Sequence, residues 1–116
     1  MDPVTVVQAQ LDSYNARDLD AFVACYADDL EVRDLESGEL RMQGIGAFRE
    51  AYAAQFTRWP GQRASIAARE VVGDYVVDIE QVRGVPDRED ARVMALFRVR
   101  EGRIDRVWFS PRVSTA

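Results

Sequence analysis

The stretch YADDLEVRDL, residues 26–35, joins two kinds of local structure. Its first four residues continue the apolar spacing of a helix, whereas the next six alternate as a strand does. We therefore predict that a helix closes at the two aspartates and that a short strand follows. If Leu30 and Val32 point into a core, the same alternation turns the carboxylate of Asp34 inward.

Two interpretations of Asp34 remain open at this stage. The segment ESGE, residues 36–39, is typical of a turn, and an Asp before a turn commonly hydrogen-bonds to it. Alternatively, the carboxylate lies at the wall of a pocket, where desolvation would lift its pKa from about 3.9. In that setting Asp34 would be a candidate general acid or base.

Helical patterns lie on both sides of this stretch. Asp2 and Pro3 are typical of a helix start, with an N-cap and a proline at the first helical position. Asp18 is a second candidate N-cap, and Gly44 precedes a third apolar stripe at helical spacing. The predicted helices cover about residues 3–17, 19–29 and 45–59.

The rest of the chain is predicted to be a sheet. Strands are expected at residues 64–72, 75–85, 91–100 and 103–110, with tight hairpins at 73–74 and 101–102. The element order predicts a single α+β domain over residues 1–116: a cone in which three helices pack on a curved, mixed, mostly antiparallel sheet around an interior pocket. Strand parity alone does not decide which face of the late strands lines that pocket.

The composition narrows the chemistry. The 116 residues include no His, and all 15 basic residues are Arg, so neither a His-based relay nor a lysine Schiff base is available. The expected catalysis uses carboxylates, without a metal or other cofactor. The net charge of −5 argues against a nucleic-acid partner, and the short apolar runs argue against a membrane. The single cysteine, Cys25, suits a cytoplasmic location.

Three segments resemble the NTF2-like superfamily, in particular its SnoaL-like and ketosteroid-isomerase-like branch. They are YNARDLDAFVACYADDLEVRD (14–34), QGIGAFREAYAAQF (43–56) and FRVREGRIDRVWF (97–109). The resemblance implies a cone-shaped, cystatin-like α+β barrel with a pocket for a small apolar molecule. It does not imply one activity, because the superfamily includes isomerases, cyclases, hydrolases, dehydratases and non-catalytic binding domains.

The ketosteroid isomerases offer the sharpest comparison within this resemblance. Their proton-shuttling aspartate falls on Asp34, but their oxyanion tyrosine falls on Gln10, and their protonated aspartate falls near Met94 or Ala95. Losing one oxyanion donor typically costs about 10²–10³ in turnover, so efficient steroid isomerisation is disfavoured. Tyr14 lies one turn beyond Gln10 on the same helix face and is the candidate catalytic partner of Asp34.

Further polar and aromatic residues are candidates for the pocket. Asp78, Glu80 and Arg98 could form an Arg between two acids, similar to the limonene-epoxide-hydrolase branch, or could lie on a solvated sheet face or dimer interface. For Phe48 and Tyr52, plain core packing is the alternative. The candidate substrate-binding residues are Gln10, Phe48, Tyr52, Trp59, Met94 and Trp108.

These observations predict a protein that binds or converts a small hydrophobic molecule carrying a polar group. The predicted chemistry is that of a metal-independent isomerase, lyase or hydrolase with Asp34 as acid or base. The alternative is a non-catalytic ligand-binding or dimerisation module. A homodimer through the open sheet is also expected, because apolar residues occupy both faces of the late strands.

Overall fold

The computed structural model describes residues 2–115, and its helices begin where the sequence places them. The Asp2 carboxylate accepts a hydrogen bond from the Val4 backbone N–H at 3.0 Å, and Asp18 accepts one from Ala21 at 3.2 Å. These side chains satisfy backbone donors that a helix start leaves unpaired. The three helices are α1 (Pro3–Ala16), α2 (Leu19–Ala24) and α3 (Ile45–Arg58).

Seven strands form one sheet, which confirms the predicted α+β fold. They are β1 (Tyr26–Asp34), β2 (Leu40–Gln43), β3 (Arg63–Val72), β4 (Tyr75–Arg83), β5 (Ala91–Arg100), β6 (Arg103–Phe109) and β7 (Val113–Ser114). The main order is β2-β1-β6-β5-β4-β3, and β7 pairs with β5. All pairings are antiparallel except that between β1 and β6.

The helix predicted to close at residues 28–29 is shorter than expected. α2 ends at Ala24, and Tyr26 already pairs with Ile104 of β6. The register of this pairing is irregular between Tyr26 and Glu31, so the two exposed aspartates lie on an interruption of the ladder. The backbone after Ala24 therefore pairs with β6, a strand distant in sequence, and does not form the last predicted turn of the helix.

The burial of β4 and β5 shows which face of these strands lies inward. Val76 and Asp78 are both fully buried on β4, and Glu80 and Val82 follow on the same face. On β5 the inward residues are Val93, Ala95, Phe97 and Val99. The helices cover this inner face and leave the opposite, outer face of the sheet open.

Six rings pack beneath the helices in what we call the aromatic cluster. Centroid distances between neighbouring rings run from 4.4 Å for Tyr26 and Phe48 to 6.5 Å for Tyr14 and Tyr52. The aromatic cluster consists of Tyr14, Phe22, Tyr26, Phe48, Tyr52 and Phe56. None of the helices within residues 2–115 has the length and apolarity needed to span a bilayer.

Candidate functional site

A cavity of about 510 Å³ lies between the helices and the inner face of the sheet. This volume falls in the range of sites that hold small organic ligands. Its walls come from all three helices, from strands β1 to β6 and from the segment that follows β6. Apolar wall residues include Leu11, Phe22, Val82, Val93 and Phe97, and polar groups enter this apolar space at a few points.

Glu80 is one of these polar groups and comes from the inner face of β4. Its side chain keeps some accessible surface, but that surface faces the cavity in the interior of the fold. Within residues 2–115, no hydrogen bond or ion pair engages its carboxylate. Desolvation, assisted by the negative charge of Asp78, raises the pKa of Glu80 to about 7, although Arg112 and Arg69 oppose the shift.

Asp78 lies two residues before Glu80 on the same face and is fully buried. It accepts two hydrogen bonds from Arg69, at 2.6 Å from Nε and 2.9 Å from Nη2. Arg69 also donates to Gln8 of α1 at 2.8 Å, which ties β3 and β4 to the helix layer. Because Arg69 is fully engaged by these partners, Glu80 has no dedicated counter-ion.

Three tyrosines of the aromatic cluster, Tyr14, Tyr26 and Tyr52, also line the cavity. Burial raises the pKa of each phenol, and the nearby charge of Glu80 adds to that increase. Tyr26 donates its hydroxyl proton to Gln10 Oε1 at 3.0 Å. Tyr14 and Tyr52 therefore remain as neutral hydroxyl donors close to Glu80.

Asp34 lies at the rim of the cavity and at the start of a turn. Its Oδ2 accepts hydrogen bonds from the Ser37 backbone N–H at 2.9 Å and the Ser37 hydroxyl at 2.8 Å. Arg41 stands 3.6 Å from its other oxygen. Ser37 and Arg41 contact the carboxylate, which stays near the protein surface. The hydrogen bonds from Ser37 hold the pKa of Asp34 below its ordinary value.

Asp34 thus combines the two interpretations that the sequence left open: it caps a turn and also borders the cavity. Of the other candidate residues, Gln10, Tyr14, Tyr52 and Glu80 line the cavity together with it. The lowered pKa of Asp34 is the opposite of what desolvation in a pocket was expected to give.

The structure does not bring the remaining candidates to the cavity. Phe48 is buried inside the aromatic cluster, stacked on Phe22 at 5.6 Å. Trp59 follows α3 and contacts Arg58 and Arg88 through its ring, at 5.1 and 5.3 Å. The helix that carries Phe48 turns it towards the core, and Trp59 lies beyond the end of that helix.

Met94 and Trp108 are excluded from the cavity by strand alternation. Because Val93 and Ala95 point inward, Met94 between them points outward and is 37% exposed. Trp108 follows the buried Val107 and packs on Tyr75 on the outer face, at 6.3 Å. Arg98 is also on the outer face, which agrees with the alternative of a position outside the pocket, so it does not stand between the two acids of β4.

Arg98 instead donates two hydrogen bonds of 2.9 Å to Asp105. The inward-facing arginine is Arg69, on the neighbouring strand β3.

One pattern in the sequence pointed to Glu80. Asp78 and Glu80 are two residues apart, and they lie between Val76 and Val82 on the same face of the strand. Within residues 2–115, no three potential metal-binding side chains lie close enough together to form a metal site.

Several solved structures share the fold of this chain. An uncharacterized cystatin-fold protein from Novosphingobium aromaticivorans is 30% identical, with a TM-score of 0.85 over 94% of this chain and 97% of that one. A proposed polyketide cyclase from Sinorhizobium meliloti is 22% identical, with a TM-score of 0.78 over 94% and 99% of the two chains. An LEH-like epoxide hydrolase from M. tuberculosis is 23% identical, with a TM-score of 0.80 over 93% and 80%.

The last two similarities show a shared fold and leave the chemistry open. No curated protein matches the sequence. The family model of the SnoaL-like domain matches residues 7–107, and the chain therefore belongs to the SnoaL-like domain family of the NTF2-like superfamily.

Proposed function

We propose that this protein is an enzyme that moves a proton on a small, largely apolar molecule carrying a carbonyl oxygen, with Glu80 as the proton carrier. The observation that carries the proposal is the Glu80 carboxyl, which faces the cavity with a pKa of about 7 and has no counter-ion of its own. A general base with a pKa near the working pH combines the correct protonation state with a useful driving force.

The chemistry requires a base and a hydrogen-bond donor on either side of one substrate. In its carboxylate form, Glu80 accepts a proton from the carbon beside the carbonyl. The negative charge that develops on the carbonyl oxygen is stabilised by the hydroxyl of Tyr14 or Tyr52. Return of the proton from Glu80 to another carbon completes an isomerisation. Attack of the enolate carbon on a second carbonyl closes a ring instead, and Glu80 then returns its proton to the alkoxide that this attack forms.

Asp34 is a weaker candidate for the base than the sequence indicated. Its carboxylate already accepts two hydrogen bonds from Ser37, and its lowered pKa reduces its strength as a base. We assign it to the shape of the cavity rim. Among the proteins with this fold, the proposed polyketide cyclase supports the ring-closing form of this chemistry.

Two matched variants test the assignment, because each removes one carboxylate and keeps its shape. A thermal-shift screen of hydrophobic carbonyl compounds first identifies a ligand, and turnover of that ligand is then followed by NMR. Glu80→Gln should lower kcat by about 10²–10⁴, the usual contribution of a general base. Asp34→Asn should keep kcat within about tenfold of the wild type.

The pH profile gives an independent readout. If the carboxylate form is active, kcat/KM of the wild type should rise with pH and level off above about 7. Turnover that survives Glu80→Gln but is lost in Asp34→Asn would return the role of base to Asp34.

A non-catalytic ligand-binding module is the second candidate, and one observation favours it. Gln10 stands where the resemblance places an oxyanion tyrosine, and the neighbouring phenol of Tyr26 donates to Gln10 Oε1 at 3.0 Å instead of to a ligand. Ligands that stabilise the protein, show no turnover and bind Glu80→Gln as well as wild type would support this candidate.

A further inference from the structure

Arg112 reaches the cavity from a backbone segment that is fixed on both sides. Ser110 exchanges two hydrogen bonds with Met94: its N–H donates to the Met94 carbonyl at 2.9 Å, and its Oγ accepts from the Met94 N–H at 2.8 Å. Immediately after Arg112, Val113 pairs with Arg92 of β5. Residues 110–112 thus form a wall of the cavity, and Arg112 is held where that wall meets solvent.

Arg112 differs from the other two arginines that line this end of the cavity. Arg33 is engaged by Glu31 at 3.0 Å and by the Gly38 carbonyl at 2.8 Å, and Arg41 stands 3.6 Å from Asp34. Within residues 2–115, Arg112 makes no hydrogen bond or ion pair. Its guanidinium is therefore a permanent positive charge that is left to interact with a ligand.

The positive charge of Arg112 acts on groups inside the cavity. It opposes the rise in the pKa of Glu80, and it acts in the same direction on Tyr14 and Tyr52. Burial nevertheless raises all three pKa values overall. Apolar side chains such as Leu11, Val82 and Phe97 line the same cavity.

We propose that the cavity selects amphipathic carboxylates, whose apolar body fills the space between the helices and the sheet while the carboxylate pairs with Arg112 at the opening. As a statement about the substrate, this inference rests on the proposed function; as a statement about binding, it stands without catalysis. An arginine fork can donate two parallel hydrogen bonds to a carboxylate, which fixes orientation as well as position. The opposite end of the ligand then faces Glu80 and the two tyrosine hydroxyls.

A pair of probes that differ by one charge tests the proposal. 2-Naphthoate and 2-naphthamide share a ring system, and only the first is an anion. Their affinities are measured by isothermal titration calorimetry near pH 6, where Glu80 is largely protonated and does not repel the anion. Wild-type protein should bind 2-naphthoate about tenfold more tightly than 2-naphthamide, and this preference should fall as salt rises.

Arg112→Gln should abolish the preference by weakening 2-naphthoate alone, and Arg112→Lys should retain part of it. The matched control is Arg92→Gln, which removes the same charge from an exposed position on the outer face of β5 and should leave both affinities unchanged. Glu80→Gln separates the two proposals, because it should remove turnover and keep the preference for the anion.

Three results would overturn the inference. The first is equal affinity of wild-type protein for both probes, and the second is an Arg112→Gln protein that still prefers 2-naphthoate. The third is failure of both probes to bind the wild type at millimolar concentration, which would show that the cavity does not accept an apolar anion of this size.

Discussion

Glu80 and Asp34 border the same cavity, and their pKa values shift in opposite directions because their surroundings differ. Glu80 projects from the middle of a strand into an apolar interior and shares its face with another acid, Asp78. Asp34 begins a turn and accepts two hydrogen bonds from Ser37. Desolvation raises the pKa of the first group, and hydrogen bonds to the charged form lower that of the second.

The raised pKa of Glu80 predicts a pH-dependent cost in stability. Between its unfolded pKa of 4.5 and its folded pKa of about 7, the native state binds more protons than the unfolded state. The free energy of unfolding therefore falls as pH rises through this window. Glu80→Gln should flatten the dependence and make the protein roughly 2–3 kcal/mol more stable than the wild type at about pH 8.

Urea unfolding at about pH 5 and pH 8 measures this effect. Glu70→Gln is the matched control, because Glu70 lies exposed on the neighbouring strand β3, and it should follow the wild type at both pH values. A Glu80→Gln protein with the pH dependence of the wild type would contradict the placement of Glu80 in a desolvated cavity.

The sequence predicted part of this site through strand parity. The alternation at Leu30 and Val32 correctly predicted that Asp34 faces the cavity, because those two residues are apolar and their neighbours are not. Alternation could not predict that Glu80 faces inward, because both faces of β4 and β5 carry apolar residues. The inward face is chosen by the packing of the helices, which no local pattern on these strands encodes.

Among the helices, strands and turns, the sequence predicted the ones whose ends are determined by local sequence signals. The capped helix starts at Asp2 and Asp18 and the hairpins between the late strands agree with the structure. The end of α2 and the strand β2 (Leu40–Gln43) did not follow from local signals. β2 is a four-residue, mostly exposed edge strand, and within residues 2–115 its only sheet partner is β1, so its identity depends on pairing rather than on its own pattern.

Gly84, directly after β4, provides a test of a close contact between elements. Its φ is +81°, and a Cβ at this position would lie 2.3 Å from the Gly61 carbonyl oxygen in the turn after α3. Gly84→Ala should therefore lower the free energy of unfolding by clearly more than the roughly 1–2 kcal/mol that a left-handed conformation alone costs. Thermal and urea unfolding measure the difference.

Gly38 is the matched control for this prediction. Its φ of +75° is similar, but a Cβ at this position would have no atom of another part of the chain within 4 Å. Gly38→Ala should lose only the conformational part. Equal losses in the two variants would show that the turn after α3 moves aside at no cost.

Asn15 joins the end of α1 to the beginning of β3 through two hydrogen bonds of 2.8 Å. Its Nδ2 donates to the Ala64 carbonyl, and its Oδ1 accepts from the Ala64 N–H. Asn15→Ala leaves both backbone groups without their partner and should cost about 2 kcal/mol in urea unfolding. Ser13→Ala, which removes a hydroxyl bonded only within its own exposed helix turn, should change the stability by less than about 0.5 kcal/mol.

The whole molecule leaves one face of its sheet without a helix layer. The outer face carries a continuous apolar area bordered by arginine–carboxylate pairs such as Arg98 with Asp105. We propose that a second copy of the chain covers this area in a two-fold symmetric dimer. The apolar area consists of Tyr75, Val77, Ile79, Met94, Leu96 and Trp108.

Sedimentation measurements test the dimer. The wild type should sediment as a dimer at micromolar concentration, and Met94→Glu should dissociate it, because each copy would place a charge in the apolar area that the dimer buries. Leu40→Glu alters an apolar side chain of similar exposure on β2, at the far edge of the sheet, and should leave the mass unchanged. A wild type that sediments as a monomer would contradict the proposal.

The aromatic cluster serves both as the core and as one wall of the cavity, and this has a consequence for how the protein can be altered. A substitution at Phe22 or Tyr52 that reshapes the cavity also removes ring contacts from the core, so it costs stability. Residues 110–112 also line the cavity, but they lie outside the cluster and are held to β5 by a few hydrogen bonds. Laboratory evolution towards new ligands should therefore accumulate its first accepted changes in this segment, and changes in the rings should follow only in stabilised backgrounds.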